Sequence, residues 1–124
     1  MEPLVIRESG EFPAINFNGD TGILSISGKS YPENVNEFYK PVFDYLDTYK
    51  KAPQQKTVLD FNWLYFNTAT SKIIIKLLLA LKELKDLNKE VEINWRCKKT
   101  DELMVEKGEE IKEVLDISFN IIYI

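Results

Sequence analysis

The chain has 124 residues, 44% of them hydrophobic and 12% aromatic, enough for one domain with a packed core and too little for a separate catalytic module. Sixteen Lys and Arg against twenty Asp and Glu leave a net charge of −4, so no positive field gathers nucleic acid or an acidic membrane surface. With no histidine and a single cysteine, neither a Ser-His-Asp or Cys-His nucleophile nor a Cys/His zinc site can be built, and no metal or cofactor is expected.

Met1 to Phe12 lacks a basic end followed by an apolar run. The longest apolar stretch, Ile73 to Leu81, is interrupted by Lys76 and falls short of the ~20 residues a membrane helix needs. A soluble, cytoplasmic protein is the expectation, and the lone Cys97 suits a reducing compartment.

In chain order, Leu4 to Ile6, Ala14 to Phe17 and Ile23 to Ser27 read as strands, the last two joined by the turn residues Asn18-Gly19-Asp20. Alternation puts Ile15 and Phe17 on the same greasy side as Leu24 and Ile26, with Asn16 and Ser25 on the other. Gly22 and Gly28 enclose five residues where a phosphate loop needs four, and those five alternate as a strand, so that reading fails.

From Pro32 the period changes. Val35, Phe38, Tyr39, Val42, Phe43, Leu46 and Tyr49 recur at helical steps up to about Lys51, with Tyr31-Pro32-Glu33-Asn34 predicted as the first turn and a kink expected near Pro41. Thr57 to Trp63 reads as a strand, a long helix opens at Thr68 or its neighbour and reaches about Asn88, and Val91 to Cys97 alternates again, with Cys97 inward. A helix over Asp101 to Leu115 and a strand over Phe119 to Tyr123 complete an α/β domain with a mixed sheet and the order βββαβαβαβ. In that last helix Leu103, Ile111, Val114 and Leu115 form the apolar side, opposite Glu106, Glu109 and Glu110, while Gly108 marks a weak point.

Asn67, Thr68, Thr70 and Ser71 cluster where a strand hands over to the long helix. Any of the first, second or third could cap the free N–H groups there, and a phosphoryl group on a hydroxyl would meet the positive helix end. On the helix behind, Lys72, Lys76, Glu83 and Asp86 gather on one face with Leu79 among them and Ile75 at the border. Two large apolar groups on a polar face imply either cover by another part of the fold or a partner-docking patch.

Ser30-Tyr31-Pro32-Glu33-Asn34 and Leu64-Tyr65-Phe66-Asn67-Thr68 together resemble the SiaC family of bacterial regulatory phosphoproteins. The order of elements is similar to the STAS domains of anti-sigma factor antagonists, and the likeness covers nearly the whole chain. The resemblance implies a STAS-like, non-enzymatic switch with no catalytic residues. A partner serine/threonine kinase would phosphorylate it, a PP2C-type phosphatase would reset it, and the unphosphorylated form would bind an effector, a diguanylate cyclase in that family. The phosphorylated threonine falls on Thr68; just after it the family commonly has two serines where this chain has Ala69 and Thr70, so Thr70 and Ser71 are secondary candidates. Tyr31, Glu33, Asn34, Asn67, Thr68, Lys72, Ile75 and Leu79 form the expected partner surface. The rival reading is a STAS-like module holding a nucleotide or other anion at the helix end near Thr68. A small enzyme would have only carboxylates, lysines and hydroxyls to work with.

Overall fold

A computed structural model describes all residues from Met1 to Ile124. Nine elements follow in the expected order: β1 (Leu4–Ile6), β2 (Ala14–Asn18), β3 (Ile23–Ser30), α1 (Val35–Tyr49), β4 (Lys56–Phe66), α2 (Thr68–Asp86), β5 (Glu90–Cys97), α3 (Glu102–Val114) and β6 (Ser118–Tyr123). The six strands form one sheet in sequential order, antiparallel from β1 to β3 and parallel from β3 to β6. Parallel neighbours need crossovers, and each of the three crossovers is one helix.

The odd-numbered residues of β4 up to Trp63 and of β5 point into the core, and so do Ile15, Phe17, Leu24 and Ile26 of the hairpin. Tyr39, Val42, Leu46 and Tyr49 of α1 and Ile73, Ile74, Leu77, Leu78 and Leu81 of α2 join the same buried cluster. All three helices therefore cover one sheet face. The other face carries an open polar ladder in which Arg96 Nε donates to Asp60 at 2.8 Å and Asn120 Nδ2 donates to Glu92 and Asn94. Alternating apolar and polar residues require this two-layer arrangement, because only one side of each strand can be hidden.

Several expectations are corrected. Pro41 does not interrupt α1: the carbonyl that loses its donor belongs to Glu37, on the exposed face of the helix, where solvent has access to it. Tyr31-Pro32-Glu33-Asn34 is the lead-in to α1 rather than its first turn, since Asn34 is the N-cap and accepts from the Glu37 N–H. β4 runs past Trp63 to Phe66, because an extra residue in β4 shifts its register against β3 between Gly28 and Lys29. On α3 the inward residues are Met104, Val105, Gly108, Ile111 and Leu115, whereas Leu103 and Val114 are exposed.

Gly108 is a seat rather than a weak point. A Cβ there would lie 2.7 Å from Cδ1 and Nε1 of Trp95, whose indole N–H donates to the Met104 carbonyl at 3.1 Å. The neighbouring indole of Trp63 is buried with its N–H unpartnered, a cost the aromatic packing around it offsets. Cys97 is buried as expected, and burial, with the Asp101 carboxylate nearby, pushes its thiol up, leaving it an inert small hydrophobe.

Candidate functional site

The bulge determines what surrounds Thr68. Trp63 pairs with Gly28 but Tyr65 pairs with Lys29, so Leu64 is the extra residue and every side chain after it changes face. Phe66 turns into the core while Leu64 and Tyr65 are about half exposed. Gly28 accommodates the bend with φ +103°, a conformation that L side chains rarely adopt. Tyr65 meets Tyr31 edge to face, with ring centroids 6.0 Å apart. Leu64 and Tyr65 are thus surface aromatic and aliphatic groups that sequence reading missed, although the break in two-residue alternation at Leu64-Tyr65-Phe66 is their signal.

Asn67 comes next and caps α2: its side-chain oxygen accepts from the Thr70 N–H at 2.9 Å, and its own N–H donates to the Ser30 carbonyl at 3.1 Å. The second of these bonds ties the lead-in to α1, with Tyr31, to the start of α2. Thr68 is exposed and its hydroxyl makes no hydrogen bond within the protein. Since Asn67 provides the cap, replacing Asn67 by Ala should cost about 1 kcal/mol, whereas Thr68→Ala should change stability by under about 0.5 kcal/mol. Urea unfolding of the two variants measures the contrast.

Thr70 is not an alternative phosphorylation site, because it is 0% exposed. Its hydroxyl donates to the Ser30 carbonyl at 3.1 Å and lies 3.0 Å from the Ser30 hydroxyl, which in turn is 2.7 Å from the Tyr39 hydroxyl. This buried triad joins the end of β3, the first turn of α2 and the middle of α1. Thr70 continues the apolar stripe of Ile73, Ile74 and Leu77, the one sequence hint that it points inward. Ser71 is half-buried and its hydroxyl donates back to the Thr68 carbonyl, which leaves it a poorer acceptor of a phosphoryl group than Thr68.

Burial pushes the Tyr39 phenol up to about 12, an effect only partly opposed by its hydrogen bond with Ser30. The folded state therefore holds the proton more tightly than the unfolded chain, whose tyrosine titrates near 10. The resulting stability is complete below about pH 10 and is lost as pH rises through about 12, a contribution of about 3 kcal/mol. Tyr39→Phe should flatten the fall in unfolding free energy over that window, as measured by urea melts at a series of alkaline pH values.

Thr68, Lys72, Ile75 and Leu79 stand at steps of four, three and four residues and so form one stripe along α2. The structure leaves this stripe uncovered: Ile75 is 44% and Leu79 54% exposed. It borders a cleft of about 250 Å³ between α2 and α3, lined by Phe66, Ser71, Lys72, Ile75, Lys107 and Ile111. The cleft continues past Leu79 and Lys82 to Val114 and Leu115. Lys107 lies 5.4 Å over the Phe66 ring, and Lys72, Lys82 and Lys107 form no ion pair, so the apolar trough is edged by three unpaired lysines, with Glu110 and, at the far end, Asp116 as the carboxylates on its walls. The first turn of α2 contains no acidic residue.

Of the expected surface, Thr68, Lys72, Ile75 and Leu79 share the α2 stripe, while Asn67 is tied to Ser30 by its N–H and Tyr31 packs on Tyr65. Glu33 and Asn34 turn instead to a separate depression at the start of α1, with Glu11, Phe12, Glu37 and Phe38. No helix is long and apolar enough to cross a membrane.

Residues 6–124 match the SiaC family of regulatory phosphoproteins. An uncharacterised protein of Pseudomonas aeruginosa strain UCBPP-PA14 is 33% identical over 119 residues, covering 96% of this chain and 93% of the relative. The crystal structure of apo-SiaC from Pseudomonas aeruginosa superposes with a TM-score of 0.91 at 30% identity, over 98% of this chain and 99% of that one. The same agreement, a TM-score of 0.91 at 30% identity over 98% of this chain and 99% of that one, holds for a crystal structure of the diguanylate cyclase SiaD in complex with its activator SiaC, also from Pseudomonas aeruginosa. An exposed, unengaged threonine ahead of an uncovered helix stripe, and agreement over essentially the full length, lead to one conclusion: this chain belongs to the SiaC family, whose members are regulatory phosphoproteins and not enzymes.

Proposed function

We propose that this protein is a cytoplasmic phospho-switch that binds and regulates a diguanylate cyclase while Thr68 is unmodified. A serine/threonine kinase phosphorylates Thr68 and releases the cyclase, and a PP2C-type phosphatase restores binding. The observation that carries this reading is the freedom of the Thr68 hydroxyl: Asn67 has taken the capping role, so Thr68 is exposed at a helix start with no structural task. Support for the effector comes from the Pseudomonas aeruginosa relative, which is an activator found in complex with a diguanylate cyclase.

The docking surface in this reading is the stripe from Thr68 through Lys72 and Ile75 to Leu79, flanked by Tyr31, Leu64 and Tyr65. A partner that fits it offers apolar groups to the trough and carboxylates to the lysines. A phosphate brings a charge of about −1.5 to −2 to the head of the stripe, where it repels those carboxylates and engages Lys72 one turn away. Phosphosite mapping by mass spectrometry, on protein isolated from its own host, together with capture of the cyclase by modified and unmodified protein, tests the reading. Modification confined to another residue, or equal capture by both forms, would defeat it. The uncompensated positive end of α2 also suits direct binding of an anion, and titration with nucleotides distinguishes that alternative.

A further inference from the structure

The two edges of the sheet are unlike. β1 has three residues, preceded by Pro3 and followed by Arg7 and Glu8, which is an edge blunted by shortness, proline and charge. β6 pairs only with β5, and Ser118-Phe119-Asn120-Ile121-Ile122-Tyr123-Ile124 contains no charged side chain, no proline and no glycine. None of the usual guards against edge-to-edge pairing is present on it. The Ile124 N–H donates to the Cys97 carbonyl at 3.1 Å, so even-numbered residues turn their backbone toward β5. Phe119, Ile121 and Tyr123 therefore turn their N–H and C=O groups outward.

We infer that β6 is a self-pairing edge through which two copies of this chain join in antiparallel fashion about Ile121. In that register Phe119 of one copy lies opposite Tyr123 of the other, and Asn120 opposite Ile122. Three residues of each strand then exchange backbone hydrogen bonds, and a two-fold axis closes the contact without leaving β6 free. The charges at the two ends of the strand favour this direction. Asp116, with a side chain 88% exposed although within 3.3 Å of Lys85, precedes β6, and Lys99 stands 5.9 Å over the Tyr123 ring at its far end. Antiparallel pairing sets Asp116 of each copy toward Lys98 and Lys99 of the other, with the Asp101 carboxylate beside those lysines, whereas parallel pairing sets Asp116 against Asp116. The contact involves the last strand, two strands away from β4, so the Thr68 stripe stays open in both copies.

One strand pair is a small interface, so the association is weak and depends on concentration. Sedimentation equilibrium from about 10 μM to about 1 mM should show the average mass rising from one chain toward two. Tyr123→Pro removes an outward N–H without touching the β5 ladder and should raise the dissociation constant at least about tenfold, with the melting temperature of dilute monomer unchanged. Asn120→Cys combined with Ile122→Cys should form a covalent dimer under mild oxidation, with buried Cys97 not taking part. A monomer throughout the range overturns the inference. So does a dimer that Tyr123→Pro leaves intact and the cysteine pair does not link, because a different face would then hold it.

Discussion

Thr68→Asp is expected to weaken capture of the cyclase by about tenfold or more, equivalent to about 1.4 kcal/mol, while Thr68→Ala binds as tightly as unmodified protein and can no longer be released by the kinase. The contrast rests on which group does what at the start of α2. Because Asn67 supplies the cap, neither substitution removes a helix-terminal hydrogen bond, and both proteins should fold normally. Aspartate adds a favourable interaction with the positive helix end of roughly 0.3 to 1 kcal/mol, so this variant should be slightly the more stable of the two. A fall in binding accompanied by unchanged or higher stability separates surface charge from misfolding. Isothermal titration with the purified cyclase, paired with thermal melts, gives both quantities. Equal affinity of the Asp and Ala proteins would remove Thr68 from the docking surface.

Gly108→Ala should destabilise the protein by about 2 kcal/mol, lowering the melting temperature by roughly 8 °C, even though alanine ordinarily improves a helix by about 1 kcal/mol. The added methyl would stand 2.7 Å from two atoms of the Trp95 indole. Trp95 cannot retreat, since Phe61, Trp63, Phe66 and Phe119 pack around it with ring centroids 5.6 to 6.5 Å away. Trp95→Phe alone leaves a void and should cost about 1 to 3 kcal/mol. The double variant should be more stable than the sum of the two losses by about 1 kcal/mol or more, because the methyl then enters the space the smaller ring vacates. Strict additivity in calorimetric melts would mean that the two sites do not share a contact.

Most of the architecture was legible because periodicity carries it. Ile15, Phe17, Leu24 and Ile26, or Ile93, Trp95 and Cys97, alternate without exception, and burial tracks that alternation residue by residue. Legibility failed where a local device overrode the period. Leu64 adds one residue to β4 and reverses the facing of Tyr65 and Phe66, so the strand looked finished at Trp63 when it had merely changed register. On α3, Leu103 and Val114 fit the apolar side by spacing but are 63% and 82% exposed, because the inward stripe is organised around a glycine that contributes no hydrophobicity to any pattern. Capping chemistry narrowed the site to a few hydroxyl and amide residues. It could not tell Asn67 from Thr68 or Thr70, since that choice depends on Ser30 and Tyr39, which are distant in sequence.

The hydroxyl triad beneath α2 limits how the proposed switch can act. Ser30, Tyr39 and Thr70 bolt the first turn of the helix to a strand and to a second helix, and their closely spaced oxygens are sealed from solvent. A phosphate arriving on the neighbouring outward hydroxyl finds no loose element to shift. In the proposed switch, modification of Thr68 therefore acts through electrostatic potential on an unmoved surface rather than through a change of shape, and amide hydrogen exchange along α2 should look alike before and after modification.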